Sequence, residues 1–322
     1  MILVYLLRRL AYGAVTVLGV LLLLFVLFFL VTKPDDVARR ALGEKAPPEA
    51  IAQWKHNHGY DKPRFWNPGA PGDTMIADHF RRMLTFDFGR SDADDVPIAK
   101  RLREGLWPSL SLTLPLFLIE LPLAIGLALL VAFLRETYVD RLGVALCVLA
   151  MSVSVLLYIV GGQYLLGKLL RWFPISGFDA RPSVILRFLA LPVAIGVLAG
   201  LGEGIRFYRT VFVEEVGRDH VRTARAKGCS EGRVMTRHVL RNALIPILTQ
   251  VVVAIPFLFT GSLLLESFFG IPGLGSLTVD AINANDFATL RVMVFIGSLL
   301  FILGQILTDL SYALVDPRVR LE

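Results

Sequence analysis

Six stretches of the chain are apolar over the length that a helix needs to cross a lipid bilayer, about 20 residues. They are Leu10–Val31, Trp107–Leu134, Gly143–Leu170, Val184–Ile205, Leu244–Phe269 and Val292–Val315. With 55% hydrophobic residues and a mean hydropathy of +0.63, the chain has more apolar surface than a water-soluble fold of this size buries. The sequence therefore predicts an all-α integral membrane protein with six transmembrane helices. The even number of helices places both termini on the same side.

The first apolar stretch follows Arg8-Arg9 and so has the general layout of a secretory leader. Its apolar run of about 22 residues is longer than that of a signal peptide, and no small-x-small cleavage site follows it. We therefore predict a first helix that is retained. The two cysteines, Cys147 and Cys229, do not suggest a disulfide framework, and we expect both to be free thiols.

The positive charge of the chain indicates its orientation, because Lys and Arg accumulate in short cytoplasmic loops. Segment 206–241 contains nine such cations against four acids. Placing it in the cytoplasm puts both termini there as well, although the cations between 168 and 187 are then external. The predicted organisation is a tail and first helix (1–31), a periplasmic lid region (32–106), and a five-helix core (107–322) that contains the cytoplasmic loop 206–241.

Glu120 and Glu203 are carboxylates inside predicted spans. An ionisable group within a membrane is costly and usually faces a polar cavity or a partner. Both residues are therefore candidates for a solute path, and the polar Gln250 is a further one. An ion pair with Arg206, three residues on, is the alternative for Glu203, and we favour it.

A stripe of small residues predicts where two spans pack closely. Gly196, Gly200 and Gly204 are spaced by four and so share one face of the fourth predicted helix. Such a bare face allows the backbone of a second helix to approach. We expect a neighbouring span to pack against it.

Several common chemistries are not supported by the sequence. Gly162–Lys168 matches most of a phosphate-binding loop, but Leu169 replaces the required Ser or Thr and no strand precedes it. His56 and His58 lack further metal ligands at suitable spacing. The net charge of +6 comes from cations beside the spans, which topology explains without nucleic acid. We expect no catalytic residue, no metal site and no bound cofactor in this chain.

A basic, small-residue segment between the fourth and fifth spans is the strongest functional candidate. Gly228 suits the left-handed end of a short helix, and Ser230 followed by Glu231 suits the start of another through side-chain capping. Ala224 and Ala226 would leave room for a partner surface, and the arginines would supply charge-assisted contacts. Contact with anionic lipid is the alternative that these residues leave open.

Motifs along the whole chain resemble those of binding-protein-dependent ABC importer permeases, most closely the B-type subunits of the oligopeptide/dipeptide/nickel group. The principal one joins Val221–Gly228 to Arg237–Pro246 in the basic segment. The others are Arg8-Arg9-Leu10, Phe86–Ser91, Pro174–Gly177, Gly270–Gly275 and Asp316–Arg320. Phe259–Glu266 and Asp309–Pro317 resemble the subgroup for oligopeptides and microcin C.

The resemblance implies a type I ABC importer permease fold in a bacterial inner membrane. It implies a second homologous permease subunit, two ATP-binding subunits or domains that hold ATP and Mg²⁺, a periplasmic solute-binding protein, and the lipid bilayer as partners. It assigns coupling to the ATPases to one short segment: Thr223, Ala224, Arg225, Ala226, Lys227 and Gly228. Peptides are the implied substrate.

Two positions depart from the pattern of that family. Met151–Tyr158 lacks the usual proline after its serine, and Glu203 stands where relatives are apolar or small. Both could face the pathway, so the substrate is less firmly implied than the mechanism. A nickel-chelate or glycoside importer, or an ATP-independent scaffold or channel subunit, remains as an alternative.

Overall fold

The computed structural model describes residues 2–31, 34–43, 45–70 and 72–315, and no β-strand occurs among them. The terminal motif Asp316–Arg320 lies outside these residues. Fourteen α-helices are found in the described part of the chain. They are α1 (Ile2–Phe25), α2 (Pro34–Leu42), α3 (Pro48–Asn57), α4 (Met75–Leu84), α5 (Ile98–Phe133), α6 (Tyr138–Ser152), α7 (Val155–Gly162), α8 (Ile185–Val216), α9 (Asp219–Ala226), α10 (Glu231–Arg233), α11 (Leu240–Thr260), α12 (Leu263–Phe269), α13 (Leu274–Asn283) and α14 (Phe287–Val315). Single stretches of π-helix extend α1 and α7 and join α10 to α11: Val26–Val31, Gln163–Leu169 and Val234–Val239.

Five continuous segments are long and apolar enough to cross a membrane, and a bent pair of helices supplies a sixth. This confirms the predicted all-helical membrane fold. Helices α5 and α8 extend well beyond their apolar stretches. Helix α5 begins at Ile98, before Trp107, and α8 continues past Ile205 to Val216. Charged residues occupy both extensions, so an estimate from apolar length alone omits them.

The third predicted span is broken rather than straight. Helix α6 and the helix that starts at Val155 meet at an angle of 86°. Ser154 begins the second half, and its Oγ accepts a hydrogen bond from Leu156 N at 3.3 Å. A serine cap therefore accompanies this bend in a segment without proline.

The glycine stripe of α8 packs against α5 as predicted. A methyl group at Gly196 would overlap Leu116, one at Gly200 would overlap the Glu120 carboxylate, and one at Gly204 would press on Ala124. These three α5 residues are also spaced by four, so the two stripes run side by side. The close approach of α5 and α8 depends on the missing side chains.

The fifth span is interrupted near its C-terminal end, where α11 stops at Thr260 and Gly261 adopts φ +74°. Glu266 on the following helix α12 is completely buried at this break. Its carboxylate accepts hydrogen bonds from Ser109 Oγ (2.9 Å), Ser262 N (2.9 Å) and Ser276 N (3.1 Å). One carboxylate thus joins α5, α12 and α13.

The segment between the first and second spans shares a core with the first span. Phe25 and Phe29 pack there with Trp54 and Tyr60. His79 on α4 is buried, and its Nε2 donates to Leu21 O at 3.1 Å. Burial lowers the pKa of His79 to about 4, so its ring is neutral near pH 7. Helices α3 and α4 are therefore anchored to the first span.

A second polar cluster fixes the loop before α5 to the start of α14. Asp286 is buried and accepts from Ser91 Oγ (2.6 Å), Asp92 N (3.0 Å) and Thr289 N (3.0 Å). Asp92 Oδ2 accepts from Ala288 N at 2.8 Å. Both carboxylates therefore lie at the N-terminus of α14, where the helix dipole favours negative charge. Burial raises the pKa of Asp92 above its usual value.

Candidate functional site

The basic segment folds into the helix, corner and second helix that its sequence predicts. Helix α9 ends at Ala226, and Gly228 adopts φ +79°. Gly228 N donates to Arg225 O at 2.9 Å, and Cys229 N donates to Ala224 O at 3.2 Å. These two bonds complete the helix end, and the left-handed backbone that they require favours glycine at 228.

The two faces of α9 have different surroundings. Val221 and Ala224 are buried, at 0% and 4% exposure, in a core that also contains Val239 and Ala243. The expectation that Ala224 leaves room for a partner is therefore wrong, because its methyl group packs inside this chain. The opposite face is exposed and consists of Arg222, Thr223, Ala226, Lys227 and Gly228.

Arg225 binds within the chain. Its guanidinium donates two hydrogen bonds to Glu231, Nε to Oε1 at 2.7 Å and Nη2 to Oε2 at 3.1 Å. The pair spans the corner at Gly228 and connects the end of α9 to the start of α10. Ser230 precedes α10 in an extended conformation, but its side chain makes no capping bond, so that predicted detail is wrong.

The other end of α9 carries a second polar connection. Glu215, near the end of α8, is buried, and its Oε2 forms an ion pair with Arg218 Nε at 2.9 Å. Its other oxygen lies 3.3 Å from His220 Nε2. The same ring nitrogen lies 2.9 Å from Asn242 Nδ2 on α11. Residues of α8, α9 and α11 therefore meet at one imidazole.

The candidate path residues lie on three long helices. Glu120 of α5 is half-buried against Gly200 of α8. Glu203 is exposed, and no ion pair joins it to Arg206 in the described part of the chain, so the favoured pairing is wrong. Gln250 lies on the exposed surface of α11.

Sequence reasoning overlooked the two most completely hydrogen-bonded carboxylates, Glu266 and Asp286. The rule for ionisable groups in apolar segments, which selected Glu120, applies equally to Glu266. Asp286 precedes a helix start and Thr289 lies three residues later, a spacing typical of an N-cap. The Glu215–His220–Asn242 cluster has no such sequence signal, because tertiary packing brings its members together.

Comparison with known proteins gives consistent results over nearly the whole chain. The model of a family described as "Binding-protein-dependent transport system inner membrane component" matches residues 124–321, and that of its N-terminal region matches residues 2–67. A putative peptide transport system permease protein of Brucella abortus (strain 2308) is 34% identical over 307 residues, covering 94% of this chain and 95% of the relative. A glutathione transport system permease protein of Salmonella typhimurium (strain LT2) is 33% identical over 321 residues, 98% of each chain.

Proposed function

Because the chain belongs to the family of inner-membrane components of binding-protein-dependent transport systems, we propose that it is the permease subunit of an ATP-driven peptide importer. It is a multi-pass inner-membrane protein. The relatives named for peptide transport and for glutathione transport align over at least 95% of their lengths. Glutathione is itself a tripeptide, so both names support peptides as the substrate class.

Transport systems of this family use a solute-binding protein and ATPase partners. The proposed assembly contains this chain, a second related permease subunit, and two ATP-binding subunits or domains. ATP and Mg²⁺ bind to the latter, and this chain has no catalytic role. The solute-binding protein delivers peptide at the outer side, and the bent and interrupted spans surround its path.

The exposed face of α9 is the proposed docking surface for an ATP-binding subunit. One observation carries this assignment: Val221 and Ala224 hold α9 in the chain's own core while its small and basic opposite face is uncovered. Thr223, Ala226, Lys227 and Gly228 contact the partner. Arg225 acts by holding Glu231, and Ala224 by packing.

Movement of the ATP-binding subunits reaches the membrane through this attachment. When they close on ATP, they draw α9 with them. The core around Ala224 and the Arg225–Glu231 pair carry α10 and α11 along. The path then opens towards the binding protein, and ATP hydrolysis returns it to the inward-facing state. Glu120, Glu203 and Gln250 contribute polar surface to that path.

A bulky residue at position 226 tests the docking surface. Ala226→Trp adds its side chain on the uncovered face, so we expect insertion and folding to persist while the partner surface is blocked. We expect at least about a tenfold loss of co-purified ATP-binding subunits, equivalent to about 1.4 kcal/mol. Peptide uptake into vesicles falls with it.

Ala52→Trp is the matched control, since Ala52 is an exposed alanine on external helix α3. Its ATP-binding subunits should be recovered at the wild-type level. Normal recovery and uptake with Ala226→Trp would refute the docking surface. Uptake of a nickel chelate or a glycoside in place of labelled peptides would refute the substrate class, and a wild-type chain without ATP-binding subunits would refute the importer.

A further inference from the structure

The imidazole of His220 faces two polar groups that compete for one nitrogen. Glu215 Oε1 is buried and has no hydrogen-bond partner among the described residues, and it lies 3.3 Å from His220 Nε2. Asn242 Nδ2 lies 2.9 Å from the same nitrogen and also donates to His238 O at 3.0 Å. Buried carboxylate oxygens are normally hydrogen-bonded, so an unsatisfied one is unusual.

The two contacts require different states of the ring. An amide nitrogen can only donate, so a hydrogen bond from Asn242 Nδ2 requires His220 Nε2 to carry no proton. In that state it offers nothing to Glu215. If Nε2 takes up a proton, the ring donates to Glu215 Oε1 and the bond from Asn242 is lost. His220 Nε2 can therefore serve Glu215 or Asn242, but not both at once.

The two competing groups belong to different moving parts. Glu215 is on α8, which belongs to the fourth span, whereas Asn242 is on α11, which belongs to the fifth span. Helix α9 lies between them and is tied to the fifth-span segment at its other end by Arg225 and Glu231. The choice made by His220 thus decides whether the start of α9 is bound to α8 or to α11.

We propose that His220 is a positioning residue that exchanges its Nε2 hydrogen bond between Asn242 and Glu215 as α9 moves. The inference rests on the proposed importer function. In one state, the ring holds α11; in the other state, it holds α8. An element with two discrete arrangements is the physical requirement for coupling between distant sites.

The exchange needs one proton at Nε2, which a hydronium ion of the solvent can supply because the His220 side chain is 37% exposed. An N–H bond forms at Nε2, the hydronium ion becomes water, and the ring becomes an imidazolium because Nδ1 already carries the proton of the neutral ring. Glu215 faces the ring from the end of α8, and Arg218, just before α9, pairs with Glu215. Helix α11 presents the neutral amide of Asn242.

His220→Gln and His220→Ala separate exchange from simple hydrogen bonding. A glutamine amide carries an acceptor and two donors, so it can bond to Asn242 and Glu215 together. We expect His220→Gln to fold and assemble but to fix both connections. Peptide uptake and peptide-stimulated ATP hydrolysis by the intact complex should then fall in parallel by about tenfold, the effect of one charged hydrogen bond.

His220→Ala removes both connections. We expect the peptides transported per ATP hydrolysed to fall by about tenfold, because α9 then moves without guiding α8 or α11. Asn242→Leu removes one of them and should give a smaller loss. Thermal unfolding of each complex, with Thr236→Ala on the exposed surface as the control, verifies that assembly is intact.

Wild-type uptake and hydrolysis with His220→Gln would overturn the proposal, since a static hydrogen-bonding role predicts full rescue. Wild-type transport per ATP with His220→Ala would overturn it too. These outcomes differ from failure of the proposed function, in which the wild-type complex itself shows no peptide-stimulated hydrolysis. The His220 comparison is made only after that stimulation is measured.

Discussion

Buried carboxylates at two helix junctions of the molecule are in different states. Where α5, α12 and α13 meet, the two oxygens of Glu266 accept three hydrogen bonds. Where α8, α9 and α11 meet, Glu215 has one oxygen without a hydrogen-bond partner in the described residues, and Asp92 Oδ1 beside Asp286 is another such oxygen. Both kinds of group are shielded from water, so the difference lies in their partners.

This difference indicates which junction is fixed and which is adjustable. A fully satisfied buried network holds its elements in one arrangement, because any movement leaves polar groups without partners. An unsatisfied oxygen loses nothing when its surroundings shift. The junction of α5, α12 and α13 therefore behaves as a fixed frame, and the junction of α8, α9 and α11 is free to change.

The largest effect should come from removing the Glu266 carboxylate. Glu266→Ala leaves Ser109 Oγ–H and the N–H groups of Ser262 and Ser276 buried without acceptors. Each such loss costs about 1–3 kcal/mol, so the total approaches the stability of an ordinary domain. We expect little monodisperse protein in detergent and a greatly lowered melting temperature.

Two variants make the Glu266 result interpretable. Glu104→Ala removes an exposed glutamate from the neighbouring helix α5 and should melt like the wild type. Glu266→Gln keeps one acceptor oxygen and turns an amide towards a donor, so an intermediate loss is expected. A Glu266→Ala protein as stable as Glu104→Ala would show that the Glu266 carboxylate does not hold the junction of α5, α12 and α13 together.

The segment that contains α3 and α4 should lose folding stability in acid because of His79. The largest loss should be smaller than that caused by Glu266→Ala. In the unfolded chain, His79 is protonated below about pH 6.5, but burial keeps it neutral in the folded protein until about pH 4. Unfolding therefore takes up a proton between these values, and stability falls as pH falls. The full loss at pH 4 is about 3 kcal/mol.

Hydrogen exchange of α4 across this pH range measures the effect. His79→Gln retains a donor for Leu21 O but does not titrate, so its protection should change less with pH. The raised pKa of Asp92 has the opposite effect on stability and is common to both proteins, so it cancels in the difference. If the protection of α4 depended on pH equally in the wild type and in His79→Gln, the loss of stability in acid would not come from His79.

Most of the fold follows from patterns that are local in sequence. Apolar length predicted the spans, the spacing of four predicted the α5–α8 contact at Gly200, and a glycine after a short helix predicted the corner at 228. In each case the sequence of one element is sufficient for the prediction, through its apolar length, the residues on one of its faces, or the backbone angle that a residue favours. Helix ends beyond the apolar stretches were missed because their charged residues are helical too.

The polar contacts were predicted less well because they depend on residues far apart in the sequence. Arg206 is three residues from Glu203, yet no ion pair forms between them in the described structure. Arg225 instead binds Glu231 across a corner, and Ser109 meets Glu266 over a separation of 157 residues. Exposure of α9 also required the tertiary fold, since alternate alanines at 224 and 226 look equivalent in the sequence.

The smallest effect should come from a substitution of Gly228, which tests the adjustable junction of α8, α9 and α11 directly. Gly228→Val places a β-branched residue at φ +79°, which costs about 1–2 kcal/mol, whereas Gly228→Asn tolerates this conformation at a fraction of that cost. The amide of Cys229, bonded to Ala224 O, should therefore exchange about tenfold faster in the valine variant and nearly normally in the asparagine variant.

Gly232→Ala, in a helix with open space around it, is the control and should leave exchange unchanged. Equal exchange in the valine variant and the wild type would mean that the corner is not held by its left-handed glycine. Equal loss in the valine and asparagine variants would mean that lost space, rather than backbone strain, loosens α9.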